Sequence, residues 1–428
     1  MSPVHGLGDG LRYGLLGLPL AFCALPLYVV MPHFYATQWG VSLSVLGGLL
    51  LALRALDALI DPWIGRWCDA WAHQGILRLW SAMALAAVVL ALAFAALFHP
   101  LVDASHAVAW AGGCLALTYL AYSLVTVGHQ SWGARLGGDA RGRSTVVAWR
   151  EGLGLLGVVL ASTVPALWGA SSLGWVMAPL LLLGMGALRW APRPPTLPRT
   201  DAASAVADQD LWLPWRNPAF VRLVAVFALN GIASAVPATL VLFFIEDRLQ
   251  VAGHWQGVFL GLYFLSAALS MPLWLRVVAR VGLEQSWLMG MVLSVAAFVG
   301  AAAVGTGDVL LYGVVCVASG LALGSDLAIP AALLAQVAQR SDAPDSASAQ
   351  GVYFGWWNLV TKLNLALAAG LTLPLLAALG YTPGSRTAAP LAMLTAVYCL
   401  LPCALKALAG AALYGFFVRP SERLPHAT

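Results

Sequence analysis

Three charged side chains in the second apolar stretch of the sequence have the types and spacing for cation chemistry. Asp57 and Asp61 are four positions apart, and Arg54 precedes Asp57 by three. On an α-helix this spacing places all three on one face, with the Cβ atoms of the two acids about 5–6 Å apart. Two carboxylates this close repel each other, so one is protonated or a cation lies between them. The pattern predicts a site for H⁺ or Na⁺, with a structural Arg–Asp cluster as the alternative.

The composition indicates what kind of element carries these charges. Of 428 residues, 61% are hydrophobic and 9% are charged, whereas an ordinary soluble domain has about 25% charged residues. So few charges cannot cover the surfaces of two or three soluble domains, which excludes a secreted scaffold, a disordered chain and a nucleic-acid-binding protein. The apolar stretches reach about 20 residues, enough to cross a bilayer as helices. The sequence therefore predicts an all-α integral membrane protein.

Twelve such stretches predict twelve transmembrane helices. The predicted spans are residues 12–36, 41–66, 78–99, 107–131, 146–168, 173–191, 219–246, 255–279, 286–305, 309–337, 351–379 and 389–417. They divide the chain into an N-terminal bundle (1–191), a polar linker (192–218) and a C-terminal bundle (219–428). Arginines between the spans collect on one side, and only Arg248 and Arg386 fall on the other. The positive-inside rule then places both termini in the cytoplasm.

A lysine inside the eleventh span is the fourth charge of interest. Lys362 and Lys406 are the only lysines, and the dominance of arginine is typical of a GC-rich bacterial genome. A charge in mid-membrane costs about 2.5–3.5 kcal/mol on insertion scales and faces the bundle interior. We expect Lys362 to pair with Asp57 or Asp61. A lysine that extends to the membrane interface is the alternative.

The loop after the second span contains Gly65-Arg-Trp-Cys-Asp69, followed by Gly75 and Arg78. It resembles the G-x-x-x-D-…-G-x-[RK] loop of the major facilitator superfamily, with one extra residue between Gly75 and Arg78. The resemblance implies the fold of that superfamily, two pseudo-symmetric six-helix bundles. Gly65, Asp69 and Arg78 would then form a cytoplasmic gate. Gly65 would allow close helix contact, and Asp69 would bond a helix N-terminus or an arginine.

The second span reads Arg-x-x-Asp-Ala-x-x-Asp-Pro-x-x-Gly. It resembles the cation motif of the glycoside–pentoside–hexuronide:cation symporter family, which includes melibiose permeases and sodium-dependent lysolipid carriers. Lys362 ahead of the G-Y-x-P sequence at residues 380–383 is similar to that family's eleventh span. The resemblance implies that Asp57 and Asp61 bind the coupling cation. It also implies that Lys362 neutralises them when the cation is absent, and that Arg54 tunes the pair.

Two departures from that family bear on the cargo and the ion. Its sugar permeases hold sugar hydroxyls with two aspartates, where this chain has Ala21 and Gly128. A melibiose-like sugar is therefore not expected, and the cargo is a small polar solute or an amphipathic, lipid-like molecule. The apolar, Trp-rich spans favour the second. Ile60 stands where sodium-coupled members often have Asn, which removes an oxygen ligand and makes H⁺ at least as good a candidate as Na⁺.

Side chains that can bind the cargo lie in or beside four spans: His129, Trp132, Arg150, Asp326, Trp357 and Asn358. His129 can titrate near neutral pH or be satisfied by a backbone carbonyl. Arg150 resembles an arginine of the symporter family, or it forms a salt bridge with Glu151. Asp326 either lines a cavity or serves helix packing. Trp357 and its neighbours can form the floor of a cavity.

These features together predict a cation-coupled secondary transporter of a bacterial inner membrane that works by alternating access. The sequence has no G-x-x-x-x-G-K-[ST] loop, which excludes ATP drive by this chain. Its eight histidines are scattered, which argues against a lipid-modifying membrane enzyme, and a non-transporting sensor remains the second alternative. We expect no cofactor besides the coupling ion, no nucleic-acid partner, and a monomer in the bilayer.

Overall fold

The computed structural model describes residues 7–136, 140–193, 212–339 and 346–419. Within these ranges every regular element is helical and no strand occurs. Twelve helical runs in the described residues are long and apolar enough to cross a membrane, and each coincides with one predicted span. The predicted all-α architecture with twelve spans is confirmed.

The chain divides into two compact units, of which the first comprises Met1–Pro198 and Gly253–Val258. The helices of its larger segment are α1 (Leu7–Gly14), α2 (Gly17–Tyr28), α3 (Val30–Gln38), α4 (Leu43–Gln74), α5 (Ile76–Phe98), α6 (Ala107–Leu136), α7 (Ala140–Trp168) and α8 (Ser172–Arg189).

Local sequence explains where α4 begins and ends. Ser42 caps its N-terminus, because the side-chain oxygen accepts a hydrogen bond from the Val45 amide at 3.3 Å. At the other end, Gly75 has φ 141°, a conformation that glycine adopts without a Cβ penalty. The turn at Gly75 leads directly into α5. Arg54, Asp57 and Asp61 therefore all lie within one continuous helix of 32 residues.

Helix α5 shows how an almost uniformly apolar sequence separates into two faces. Leu79, Met83 and Leu90 are fully buried, whereas Leu85 and Leu92 are 70% and 68% exposed. Buried positions recur at helical spacing, as they do when one face packs inside a bundle. The opposite face keeps leucines outside because its surroundings in a membrane are as apolar as the interior.

The second unit comprises Arg199–Ala252 and Phe259–Thr428. Its helices are α9 (Pro218–Phe243), most of α10 (His254–Val281), α11 (Leu283–Ala302), α12 (Val309–Ala328), α13 (Pro330–Gln339), α14 (Ser346–Ala378), α15 (Ala388–Thr395) and α16 (Leu401–Leu413), with π-helical turns at Phe244–Leu249, Ala396–Leu400 and Tyr414–Val418. Asn217 caps α9 by accepting hydrogen bonds from the amides of Ala219 and Phe220. The predicted linker, residues 192–218, lies mostly outside the described residues.

Candidate functional site

A buried polar cluster in the first unit joins α4 to α6. We define the Asp57 cluster as Arg54, Asp57, Tyr119 and Ser123. Arg54 Nη1 lies 3.6 Å from Asp57 Oδ2, and Ser123 Oγ donates a hydrogen bond to Asp57 Oδ1 at 2.5 Å. The Arg54 guanidinium carbon lies 4.2 Å from the centre of the Tyr119 ring. The Arg54 and Asp57 side chains are 8% and 2% exposed, so the charges are removed from solvent and held by each other.

Helix α4 points these charges inward because they continue its buried face. Leu50 and Leu46 are buried one and two turns before Arg54, whereas Leu56 and Leu59 are exposed. The spacing of four residues keeps Leu46, Leu50 and Arg54 on one stripe. This stripe packs against α6, which brings Ser123 to the carboxylate. The residue spacing on α4 and the packing of α4 against α6 therefore both place the Asp57 side chain in the interior of the unit.

The Asp57 cluster borders a small cavity within the first unit, with room for about two water molecules. Asp57 and Tyr119 line it together with the apolar side chains of Leu53, Leu56, Ile60, Ala116 and Leu120. Asp61 follows one turn later on α4 and is half-buried. A carboxylate at the wall of a cavity can exchange an arginine contact for a proton or a small cation. The roles of Asp57 and Asp61 in cation binding stay predictions.

A second buried cluster lies in the C-terminal unit and is centred on Asp326. Lys406 Nζ lies 2.8 Å from Asp326 Oδ2, and Ser234 Oγ donates to the same oxygen at 3.3 Å. The other oxygen, Oδ1, accepts from Asn230 Nδ2 at 3.0 Å and from Trp287 Nε1 at 2.9 Å. We call these five residues the Asp326 cluster. They come from α9, α11, α12 and α16, so one carboxylate ties four helices together.

The Asp326 cluster also borders a small cavity, with room for about one water molecule. Its polar lining consists of Ser234, Tyr263, Ser294, Ser319, Asp326 and Lys406. Val295, Phe298 and Leu323 are among its apolar lining residues. Asp326 therefore lines a cavity and also holds helices together, so both interpretations of this residue describe part of its environment.

His129 and Trp132 pack inside the first unit. His129 Nε2 lies 2.9 Å from the carbonyl oxygen of Tyr13, and the Tyr13 hydroxyl donates to the His129 carbonyl at 3.2 Å. Trp132 Nε1 donates to the Pro192 carbonyl at 3.1 Å. His129 is fully buried and Trp132 is 1% exposed. His129 thus has the backbone carbonyl partner that the sequence left as the alternative to cargo binding. Cargo binding by His129 or Trp132 stays a prediction.

The remaining cargo candidates are members of neither cluster, and the pairing of Lys362 with Asp57 or Asp61 stays a prediction. Arg150 forms the alternative salt bridge, with Nη2 2.7 Å from Glu151 Oε1. Trp357 is buried and stacks on Phe227, with ring centroids 3.7 Å apart. Asn358 is exposed. Lys362 lies near the middle of α14 and is half-buried.

The predicted gate residues occupy the last turns of α4 and the start of α5. A Cβ added at Gly65 would meet no described atom within 4 Å. The close helix contact expected at Gly65 stays a prediction. Arg78 is exposed, and its Nη1 donates to Gln74 Oε1 at 2.5 Å. The Asp69 side chain lies outside the described part of the structure. A gating role for the three stays a prediction.

Ser123 and Lys406 are among the cluster residues that were not singled out from the sequence. Ser123 carries no signal, because a serine in an apolar span commonly bonds its own helix. Lys406 carries a clear one: it lies in the middle of the span Ala388–Val418. The argument applied to Lys362, that a lysine in mid-membrane needs an acid, applies equally to Lys406, although it does not identify which acid.

Comparison with known proteins adds the family. Residues 11–418 match the family described as MFS/sugar transport protein. Over 160 residues the chain is 27% identical to YagG of Escherichia coli (strain K12), a protein whose name describes it as a candidate glycoside/cation symporter. That alignment covers 36% of this chain and 34% of YagG, so the chain spans about a third of the length of this curated relative.

Two solved transporters share the fold. The crystal structure of a mutant of the nucleoside transporter NupG has a TM-score of 0.73 at 14% identity, over 96% of this chain and 100% of that one. An inward-facing, unoccupied bacterial homologue of the human lysosomal transporter Spinster has a TM-score of 0.67 at 14% identity, over 98% of both chains. Family and fold point to a transporter rather than an enzyme. With the family match extending over nearly the whole chain, this protein belongs to the MFS/sugar transport protein family and has the fold of major facilitator superfamily transporters.

Proposed function

We propose that this protein is a cation-coupled secondary transporter that uses H⁺ or Na⁺ to move a solute by alternating access. The observation that carries the proposal is the Asp57 cluster, in which a carboxylate that is 2% exposed lies beside a cavity and pairs with Arg54. The description of YagG as a glycoside/cation symporter supports cation coupling. The transporters with the same fold support solute movement.

The mechanism follows from charge balance at α4. A bound proton or Na⁺ adds a positive charge beside Asp57, which weakens its attraction for Arg54 because the carboxylate is then neutralised from the cavity side. Occupancy therefore changes the electrostatic cost of burying Asp57 and Asp61, and a transporter can use this change to bias its conformational equilibrium. By resemblance to the symporter family, the positive charge of Lys362 neutralises Asp57 and Asp61 when no cation is bound.

The location and orientation are part of the same proposal. The chain would lie in a bacterial inner membrane with both termini in the cytoplasm, because its arginines collect on that side. Residues 65–78 would then be cytoplasmic and could gate the passage. We further propose that it acts as a monomer and needs no cofactor besides the coupling ion.

The linings of the two cavities differ in the cargo chemistry that they favour. The cavity beside Asp57 is lined mainly by leucine, isoleucine and alanine side chains, which suits the apolar part of an amphipathic, lipid-like molecule. The cavity beside Asp326 has six polar lining residues, which suits a small polar solute. The coupling proposal is the same for both classes.

Reconstitution in proteoliposomes tests the proposal. Uptake of a radiolabelled pentose, hexose, nucleoside or lysophospholipid is measured under an imposed Na⁺ gradient, an imposed pH gradient, or no gradient. We expect one probe to accumulate only under one of the two cation gradients, and to exchange in counterflow without either. Counterflow with no response to either gradient would make the protein a uniporter. Absence of both activities for all four probes would favour a sensor.

A further inference from the structure

An exposed arginine stacks on an exposed aromatic ring at one end of the second unit. Arg222 lies in the second turn of α9, and its guanidinium carbon is 5.6 Å from the centre of the Phe416 ring. Phe416 lies in the π-helical turn at the end of the last candidate span. Both side chains are exposed, and α9 packs against α16. The stacked pair therefore joins the outer surfaces of the first and last spans of this unit.

The stacked guanidinium has hydrogen-bond donors to spare. Among the described residues, Arg222 has the Phe416 ring as a partner, and no carboxylate or carbonyl oxygen accepts from it. An arginine carries five N–H donors in the plane of its guanidinium. Stacking uses the face of that plane, so the donors at its edge stay available to an acceptor outside the protein. The same edge can bind two oxygens of a phosphate at once.

The position of Arg222 along its span corresponds to the headgroup layer of a bilayer. The candidate span Pro218–Leu249 has 32 residues and is about 48 Å long, compared with about 30 Å for the hydrocarbon core. A centred span therefore projects about 9 Å at each end, and Arg222 lies about 6 Å from its start. Trp212 and Trp215, which precede α9, are exposed, as is typical of tryptophans at a membrane interface.

The end of the unit that carries Arg222 is strongly positive. Consecutive spans alternate in direction, so the start of α9, the end of α10, the start of α11 and the end of the last span lie at this end. The exposed arginines described here are Arg216, Arg222, Arg276, Arg280 and Arg419. Among the described residues, Glu284 in the first turn of α11 is the acid at this end. A surplus of positive charge at headgroup depth attracts anionic lipids.

The outer surface beside the stacked pair suits the acyl chain of the same molecule. Leu400 and Leu408 are exposed on the last span and precede Phe416. Exposed leucines occur on other spans as well, for example Leu85 on α5. The chain therefore adds affinity without choosing the place, and the contacts of the headgroup must supply the selectivity.

We propose that Arg222, Phe416 and Arg419 form a binding site for the phosphate group of an anionic phospholipid. Arg222 binds two phosphate oxygens through the edge of its guanidinium, and Phe416 holds the plane of that guanidinium by stacking. Arg419, exposed three residues after Phe416, adds a second positive charge. In the proposed orientation this lipid belongs to the cytoplasmic leaflet. The site does not rest on the transport proposal, because neither a coupling ion nor a cargo takes part in it.

Native mass spectrometry of the purified protein in detergent tests this site. The probes are phosphatidylglycerol and phosphatidylcholine with identical acyl chains, which differ in the net charge of the headgroup, and inorganic phosphate as a competitor. We expect the first phosphatidylglycerol to bind about tenfold more tightly than phosphatidylcholine, and inorganic phosphate not to displace it. Equal affinity for the two lipids overturns the proposal. Displacement by inorganic phosphate would indicate a site for the free anion and overturn the lipid assignment.

Variants locate the site on the surface of the unit. Arg222→Gln should weaken phosphatidylglycerol binding about fivefold to tenfold and leave phosphatidylcholine binding unchanged. Arg276→Gln is the matched control, because it removes one exposed arginine charge at the same end without changing the stacked pair. Phe416→Leu keeps an apolar side chain but removes the ring, and should weaken phosphatidylglycerol binding about twofold to fivefold. Equal losses from Arg222→Gln and Arg276→Gln would mean a diffuse charge effect and overturn the site.

Melting in detergent provides a second readout. Because Arg222 is exposed, lipid-free Arg222→Gln should melt as the wild type does. Added phosphatidylglycerol should raise the melting temperature of the wild type more than that of the variant, because a ligand of the folded state stabilises it. Should Arg222→Gln fail to fold, Arg419→Gln gives the same comparison. A dimer in the mass spectra that Arg222→Gln abolishes would assign this surface to a second copy of the chain and overturn the lipid site.

Discussion

Ser123 on α6 donates a hydrogen bond to the Asp57 carboxylate on α4, with 2.5 Å between Oγ and Oδ1. The two residues are 66 positions apart in the sequence, and both are buried. Arg54 approaches the other carboxylate oxygen, Oδ2. Each oxygen of Asp57 therefore has a different partner, and the serine holds the carboxylate in a defined orientation beside the cavity.

Removal of that hydroxyl should be costly. Ser123→Ala leaves a buried carboxylate oxygen without its donor, so we expect the free energy of unfolding to fall by about 1–3 kcal/mol. Thermal melting in detergent measures the effect. Ser81→Ala is the matched control, because Ser81 is exposed and bonds only the carbonyl of Leu77 on its own helix. Equal melting temperatures for both variants would show that the Ser123 contact does not stabilise the fold.

Neutralisation of the two acids on α4 should separate coupling from transport. Asp57→Asn or Asp61→Asn removes a charge that the cation must balance, so accumulation against a gradient should be abolished. Counterflow of the same probe should continue. Asp103→Asn changes an exposed aspartate outside the helices and should accumulate the probe as the wild type does. Normal uphill accumulation by both α4 variants would remove Asp57 and Asp61 from the coupling mechanism.

The Asp326–Lys406 pair should show a large stability coupling. Lys406→Met or Asp326→Asn alone strands a buried charge, and we expect each to lower the free energy of unfolding by about 3–5 kcal/mol. The double variant should be more stable than either single variant, because no lone charge remains. A double-mutant cycle on melting in detergent gives the interaction energy directly. Additive losses would mean that the two groups do not interact.

A third polar contact joins Tyr381, in the loop after α14, to Asp247 at the end of the candidate span Pro218–Leu249. Tyr381 donates to the buried carboxylate of Asp247, with 2.5 Å between Oη and Oδ2, and the Gly384 amide donates to the same oxygen at 2.9 Å. Burial of Tyr381, the hydrogen bond to Asp247 and the negative charge of Asp247 raise the pKa of the Tyr381 phenol above its ordinary value of 10.0.

This raised pKa predicts how stability changes with pH. The contribution of Tyr381 is fully present below pH 10.0, the ordinary tyrosine pKa. It falls as pH rises further, because the unfolded chain ionises first. Tyr381→Phe should lose about 1–3 kcal/mol at neutral pH and should show a weaker decline above pH 10.0. Tyr414→Phe, at a residue 44% exposed, serves as control. Identical alkaline melting profiles for wild type and Tyr381→Phe would contradict the assignment.

Helix α7 crosses the first span closely at Gly157. A Cβ at Gly157 would collide with the backbone oxygen of Leu18, whereas a Cβ at Gly152 on the same helix meets nothing within 4 Å. Gly157→Ala should therefore cost about 1–3 kcal/mol through overpacking. Gly152→Ala should be neutral or stabilising by up to about 1 kcal/mol, because alanine has the higher helix propensity. Equal effects on melting would show that α7 does not pack at Gly157 as described.

The sequence by itself determined the class of protein and the number of spans. Hydropathy over about 20 residues is a local property, so the spans follow from the chain without knowledge of their neighbours. It also determined that Arg54 and Asp57 share a face, since both lie on one helix three positions apart. The family motifs in the second and eleventh spans could also be identified from the sequence, because each motif lies within one stretch of the chain. Gly65 shows the limit, because a motif glycine does not reveal what its surface meets.

Only the tertiary structure decided which groups complete each cluster. Ser123 reaches Asp57 from another helix, and Lys406 reaches Asp326 across 80 positions of sequence. In a soluble helix an amphipathic pattern tells which face turns inward. In these spans both faces are apolar, as the buried Leu79 and exposed Leu85 of α5 illustrate. The rotation of each helix, and with it the partner of each buried charge, is therefore set by packing between helices.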